Sequence, residues 1–113
     1  MRKRKVIAII HSKNGVPIRL TEERWEHIIA SHADMKDNRK LVLETIREPD
    51  MILRGATDEL RAIKFFSETH LGPKYIMVAY KELSEKDGFI VTAYKTSRID
   101  KIVKRGVIWS KRR

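Results

Sequence analysis

The sequence contains no cysteine, no glutamine and only two asparagines. Without cysteine, neither a disulfide framework nor a thiolate metal site can form, and a reducing cytoplasm is the expected compartment. Few amides beside abundant Lys, Glu and Arg favour a thermophilic source, where ion-pair networks gain value and thermolabile side chains are avoided. A long apolar run is also missing, because the stretch from Val6 to Ile10 ends at His11. We therefore expect neither a signal peptide nor a membrane span.

Positive charge is what the sequence has in excess. In 113 residues, 25 Lys and Arg stand against 15 Asp and Glu, which gives a formal net charge of +10. Such a domain attracts polyanions, because neutralising phosphates releases condensed counterions. Nucleic acid is therefore the leading class of partner, and a highly charged solvated surface is the alternative explanation. The length predicts one domain over residues 1–113 that buries a core without metals or disulfides.

The first part of the chain predicts a β-hairpin followed by two helices. The elements are strands at Val6–Ile10 and Val16–Leu20, a helix from Glu22 to about His32, and a helix from Asp37 or Asn38 to about Arg47. Asn14 and Gly15 are typical of a tight hairpin turn, since they readily adopt positive φ angles. Thr21 can accept a free backbone N–H of the first helix, and Pro49 ends the second helix.

The second part of the chain alternates with the period of β-strands. The strand candidates are Met51–Arg54, Glu59–Ser67, Lys74–Glu82 and Gly88–Lys95, followed by a helical turn in "SRIDKIVKRG" and a last short strand in "VIWSKRR". The separators "GATD", "ETHLGP" and "LSEKDG" are of hairpin type, so an antiparallel order is expected. The predicted class is α+β, with two N-terminal helices packed on a four-stranded antiparallel meander sheet. An N-terminal β-hairpin and a basic C-terminal extension would be additions.

The stretch "RWEHIIASH", residues 24–32, places two histidines on the first helix. Helical spacing puts Trp25, Ile28, Ile29 and His32 on one face, with Arg24, His27 and Ser31 on the neighbouring face. The histidines are five positions apart, whereas a zinc-protease pair needs four, so we expect no metal site and no cofactor. Histidine suits acid or base catalysis because its usual pKa of about 6.5 lies near neutral pH. The alternative for His32 is a partly buried residue stabilised by the helix dipole.

Two strand segments, "FIVTAYKTS" and "ELRAIKFFSE", carry the other candidates for chemistry. Alternation puts Thr92 and Tyr94 on one face, where buried hydroxyls need partners, so they either border a site or are satisfied locally. Arg61 and Lys64 alternate to opposite faces, so at most one of them can point into a given groove. There a cation would stabilise charge that develops on phosphoryl oxygens. Solvated charges with packed aliphatic stems are the alternative.

Four segments, taken in order, are familiar as a set: "RLTEERWEHIIASHADM", "IREPDMILRG", "KYIMVAYKE" and "IVTAYKTSRIDK". The set resembles the phage-associated branch of the barnase/EndoU/colicin/RelE-like (BECR) nuclease superfamily over about residues 18–110. The resemblance implies two helices on a four-stranded antiparallel sheet, with residues 1–17 as an added hairpin and basic arm. Relatives of this kind are mostly metal-independent ribonucleases, often toxins of mobile elements or of toxin–antitoxin pairs.

The resulting hypothesis is a small metal-independent endoribonuclease that cleaves RNA through attack by a ribose 2′-OH. The positions that match the family's motifs are Arg24, His27 and His32 in the helix, with Thr92 and Tyr94 in the T-A-Y strand. His32, or second His27, would act as acid or base, and Arg61 or Lys64 would stabilise the phosphorane. Thr92 and Tyr94 would orient the phosphate or a base. The expected nucleic-acid contacts are Arg24, Arg54, Lys81, Lys95, Arg98 and Lys101.

In two alternative functions the basic surface binds a partner but catalyses no reaction. A non-catalytic RNA-binding module would stack bases on Tyr94, Trp25 or Trp109 and track the backbone with Lys and Arg. RNA binding without turnover would identify it. A protein-interaction subunit would dock an acidic antitoxin or phage component, and it predicts weak RNA affinity even at low salt.

Overall fold

In the part of the chain that the structure describes, seven strands form one mixed sheet backed by two helices. The structure, a computed structural model, describes residues 5–100 and 106–111. The elements are β1 (Val6–His11), β2 (Pro17–Thr21), α1 (Glu22–Ser31), a short 3-10 helix (Ala33–Met35), α2 (Arg39–Arg47), β3 (Met51–Arg54), β4 (Leu60–Phe66), β5 (Lys74–Ser84), β6 (Asp87–Thr96) and β7 (Val107–Ser110). The strand order across the sheet is β1-β2-β6-β5-β4-β3-β7.

The predicted four-stranded antiparallel meander sheet is wrong, because the sheet has seven strands and is mixed. Strands β3 to β6 do form an antiparallel run. However, the N-terminal hairpin joins the same sheet, since β2 pairs in parallel with β6 through Ile18 with Gly88 and Arg19 with Phe89. At the other edge β7 pairs with β3. Hairpin-type separators report only on neighbouring strands, so these two distant pairings were not predicted.

Some predicted features fall outside the described residues. They are the basic arm at 1–4, residues 101–105 of the helical turn expected within 97–106, the end of the basic tail at 112–113, and the candidate contact Lys101.

The two helices lie close to their predicted bounds, and local signals explain why. Thr21 caps α1, since its side-chain oxygen accepts a hydrogen bond of 3.1 Å from the N–H of Arg24. Ile28 of α1 is buried, while Trp25 and Ile29 are half-buried. The apolar stripe of α1 therefore faces the core, as its helical spacing predicts.

The two faces of the sheet bury separate apolar clusters. The larger cluster lies on the helix face and includes Ile18, Leu20, Ala62, Ile76, Val78, Tyr80, Ile90 and Ala93 of the sheet together with Ile28, Val42 and Ile46 of the helices. The second cluster lies on the opposite face, where Leu53, Ile63, Met77 and Ala79 are buried and Tyr94 and Ile99 pack against them. We call this second side the far face, because α1 and α2 pack on the other one.

Tyr80 is fully buried, and its hydroxyl has no hydrogen-bond partner among the residues at 5–100 and 106–111. An unsatisfied buried hydroxyl costs about 1–3 kcal/mol, so Tyr80→Phe is expected to raise the free energy of unfolding by about 1 kcal/mol. Burial also raises the pKa of Tyr80, and Glu82 adds to this shift. Because the folded pKa exceeds the unfolded value of about 10, wild-type stability is lost as the pH rises above about 10, and Tyr80→Phe removes that loss.

Urea denaturation of wild type and Tyr80→Phe at about pH 8 and about pH 10.5 measures both effects. Tyr75→Phe is the matched control, since it deletes a hydroxyl from a half-buried tyrosine five positions earlier in the same strand. A Tyr80→Phe protein that is less stable than wild type at the lower pH would contradict the prediction.

Candidate functional site

The C-terminal end of α1 lies beside the second half of β6. β2 pairs with the start of β6 through Ile18 and Arg19, and the chain then turns into α1, which packs along β6. His32 is the C-cap residue of α1. Its N–H donates to the carbonyl of Ile28 at 2.8 Å, and its carbonyl accepts from the N–H of Met35 at 2.9 Å. The backbone of His32 is therefore held on both sides.

The imidazole of His32 contacts the ring of Tyr94. The ring centroids are 5.5 Å apart and the planes are inclined by 41°, and both residues are half-buried. Tyr94 is in register with Met77 and belongs to the far-face cluster. An imidazole thus lies against a phenol at the border of the far face.

Arg61 and Thr92 lie in one cross-strand row on the far face. The register pairs Arg61 with Ala79, and Ala79 with Thr92. Adjacent strands are about 4.8 Å apart, so the backbones of Arg61 and Thr92 are about 10 Å apart with a small side chain between them. Tyr94 is two positions after Thr92 and shares its face. Three predicted residues, Arg61, Thr92 and Tyr94, thus share the far face, and the fourth, His32, contacts Tyr94.

An aromatic pair on the far face was not predicted from the sequence. Phe65 is in register with Tyr75, and their ring centroids are 5.1 Å apart at an interplanar angle of 61°. Phe65 is 44% exposed, so a ligand can reach it. The sequence did indicate that Phe65 lies on the same face as Arg61, because the two residues are four positions apart on one strand.

Carboxylates already pair with the cations of the far face. Arg61 Nη2 donates to Glu59 at 3.0 Å, whereas Arg61 Nε has no partner in the described part of the chain. Hydrogen bonds from Thr57 and Arg61 lower the pKa of Glu59. Lys81 Nζ lies 3.0 Å from a carboxylate oxygen of Asp58 and lowers the pKa of that group. A phosphate on this face would compete with two carboxylates for its cations.

His27, the second histidine of α1, lies apart from Tyr94. It is exposed and lines a shallow cavity of about 220 Å³ with Glu23, Glu26 and Ala30. Two carboxylates at this cavity oppose the binding of a phosphate.

Lys64 and Lys95 point to the helix face of the sheet, away from Arg61 and Tyr94. Lys64 Nζ donates to the carbonyl of Glu48 at 2.9 Å. Lys95 Nζ donates to the carbonyl of Asp34 at 2.7 Å and lies 3.4 Å from Nδ1 of His70. Burial lowers the pKa of Lys95, and Lys74 adds to that shift while Asp34 opposes it.

The other predicted nucleic-acid contacts are spread over the molecule. Arg24 is half-buried in α1, Arg54 is exposed at the end of β3, and Arg98 is exposed in the segment after β6. The guanidinium of Arg98 lies 3.7 Å from Asp100. These three cations therefore lie on three different segments of the chain.

No group of three or more His, Asp or Glu side chains within 5–100 and 106–111 is arranged to hold a metal ion. Over the same ranges, neither helix has the length and apolar character needed to cross a membrane. Comparisons with protein families, curated proteins and solved structures found no significant match to this chain. The chemistry of the site is therefore inferred from its own geometry.

Proposed function

We propose that this protein is a metal-independent endoribonuclease whose site lies at the edge of β6, beside the C-terminal end of α1. The contact between His32 and Tyr94 is the observation that supports this function most directly. It joins a proton carrier to a phenol that both donates and accepts hydrogen bonds. Thr92 and Arg61 share the face of Tyr94 and add a hydroxyl and a cation.

Cleavage would begin with attack of a ribose 2′-oxygen on the adjacent phosphorus. A base removes the 2′ proton, the bond from phosphorus to the 5′-oxygen breaks, and an acid protonates that leaving oxygen. The products are a 2′,3′-cyclic phosphate and a free 5′-OH. His32 carries one of these protons, and Tyr94 donates a hydrogen bond to the phosphate or to the leaving oxygen. Arg61 stabilises the charge on the phosphoryl oxygens when the phosphate replaces Glu59 as its partner.

Single-stranded RNA suits the far face better than a duplex does. Exposed Phe65 beside Tyr75 offers an aromatic surface on which unpaired bases stack. The net charge of +10 favours any polyanion and therefore does not select among nucleic acids. The 2′-OH required by the reaction selects RNA over DNA.

Incubation of a mixed RNA pool with the protein in excess EDTA tests this function. The expected result is cleavage of RNA to fragments that end in 2′,3′-cyclic phosphate, with a DNA pool of the same sequences left intact. EDTA controls for contaminating metal-dependent nucleases. Cleavage of DNA and RNA at equal rates, or cleavage that requires an added divalent ion, would contradict the proposal.

A non-catalytic RNA-binding protein is the second candidate function. It is favoured by exposed Phe65 beside half-buried Tyr75, because bases can stack on these rings without any catalysis. It predicts salt-dependent retention of intact RNA in the assay above.

A further inference from the structure

A second pocket lies at the β7 edge of the sheet. It has a volume of about 480 Å³ and is lined by Lys13, Glu48, Pro49, Lys64, Trp109 and Lys111. Trp109 is in register with Ile52 of β3, which is in turn in register with Ala62. Trp109 and Lys64 therefore belong to the helix face of the sheet. The lining includes neither His32 nor Tyr94, so this pocket is distinct from the contact between those two rings.

The indole of Trp109 forms one wall of the pocket and carries a cation on its ring. Lys13 Nζ lies 4.6 Å from the ring centroid, which is a cation–π distance. Lys13 comes from the turn after β1, and β1 is at the opposite edge of the sheet from β7. The sheet must therefore curl until the hairpin turn reaches β7. The contact shows that a cation from another segment of the chain can reach the face of the Trp109 ring.

Asp50 holds two further lysines beside the indole. Its Oδ2 accepts the backbone N–H of Phe65 at 2.8 Å, while Oδ1 lies 3.1 Å from Lys111 Nζ and 3.9 Å from Lys64 Nζ. At 3.9 Å, Lys64 Nζ is too far from Asp50 Oδ1 for a hydrogen bond. An ammonium has three donors, so the contact of Lys64 with the carbonyl of Glu48 leaves it donors for a ligand.

We propose that this pocket binds one nucleotide of a single-stranded RNA. The base stacks on Trp109 in place of the Lys13 ammonium, and the phosphate lies among Lys13, Lys64 and Lys111. These three cations outnumber the carboxylates of Glu48 and Asp50 at the pocket. Base stacking on an aromatic ring combined with a cationic rim is the usual means of binding single strands. The inference depends on the proposed function only for RNA as the ligand class, and it adds a contact on the opposite face of the sheet.

A fluorescence titration tests the pocket without requiring cleavage. The chain has two tryptophans, so Trp25→Phe leaves Trp109 as the sole tryptophan emitter. The probe is a short 2′-O-methyl oligoadenylate, which cannot be cleaved through its 2′-oxygen. We expect quenching of Trp109, and we expect Lys64→Met and Lys111→Met each to weaken binding by about threefold or more at low salt. Lys86→Met in the β5–β6 turn is the matched control and should change binding by less than about twofold.

Anisotropy of the labelled oligonucleotide gives a second measurement in the wild-type background. Trp109→Leu should weaken binding by about fivefold or more, and Trp109→Phe should restore most of it because a phenyl ring still stacks. Unchanged Trp109 emission would overturn the proposal. Equal weakening by Lys64→Met and Lys86→Met would do so too, since it indicates attraction by net charge alone. Quenching without RNA cleavage would support nucleotide binding at the pocket and contradict the proposed nuclease activity. Cleavage without quenching would support the nuclease activity and contradict binding at the pocket.

Discussion

His32→Ala is expected to lower the rate of RNA cleavage by about 10²- to 10⁴-fold, the usual contribution of a general acid or base. The fold should survive, because the hydrogen bonds of His32 with Ile28 and Met35 are made by its backbone and remain in alanine. What the variant removes is the imidazole against Tyr94. Single-turnover cleavage measures the chemical step, and circular dichroism checks the fold.

His27→Ala is the matched control, since it removes the other histidine of α1 from an exposed position beside Glu23 and Glu26. It should leave the cleavage rate within about twofold of wild type, as a surface substitution does. Tyr94→Phe keeps a ring against His32 and removes only the hydroxyl, so we expect a smaller loss, about tenfold. A folded His32→Ala protein that cleaves at the wild-type rate would reject the assignment.

The pH profile distinguishes a proton carrier from a structural residue. If His32 transfers a proton, the pH dependence of the wild-type rate differs in shape from that of the residual rate of His32→Ala. A structural role would instead lower the rate by the same factor at every pH. The two profiles, recorded on the same RNA, decide between these roles.

Gly88→Ala is expected to lower the free energy of unfolding by about 1–3 kcal/mol, the usual penalty for an overpacked position. Gly88 is buried where β2 and β6 pair in parallel. A Cβ at this position would collide with the carbonyl oxygen of Lys81 and lie 2.6 Å from Cδ1 of Ile18. Since the first of these atoms belongs to the backbone, the strands themselves must shift, and the junction of the hairpin with the sheet weakens.

Urea and thermal denaturation measure this loss, and each 1 kcal/mol is expected to lower the Tm by about 4–8 °C in a domain near this size. Gly15→Asn is a suitable control, because a Cβ at Gly15 has no atom within 4 Å and Asn tolerates its φ of +83°. Amide exchange should rise most in β1 and β2. A Gly88→Ala protein as stable as wild type would show that β2 is not held tightly against β6.

The parts of the fold that were predicted correctly depend on local signals. Thr21 before two glutamates predicted the start of α1, and Pro49 predicted the end of α2. Alternation within β4 also predicted that Arg61 and Lys64 point to opposite faces. Each of these signals is contained in a few consecutive residues, and the physics that connects them to structure acts over one turn or one strand.

The candidate site was only partly predictable, because its main contact joins residues that are distant along the chain. His32 and Tyr94 were each selected from the sequence, but their contact depends on where α1 lies relative to β6. That position follows from the parallel pairing of Ile18 with Gly88, which no turn signal encodes. The pairing of Arg61 with Glu59 was also not predicted, although the two residues are only two positions apart and strand alternation places them on one face.

By itself the sequence determined the positive charge, the absence of thiolate chemistry, the positions of both helices and the strands β3 to β6. These properties follow from composition and from periodicity within single elements. Only the tertiary structure decided that the hairpin and β7 join one mixed sheet, that His32 meets Tyr94, and that Lys13 reaches Trp109. These contacts join residues that are distant along the chain, and their geometry is set by the packing of the sheet on α1 and α2.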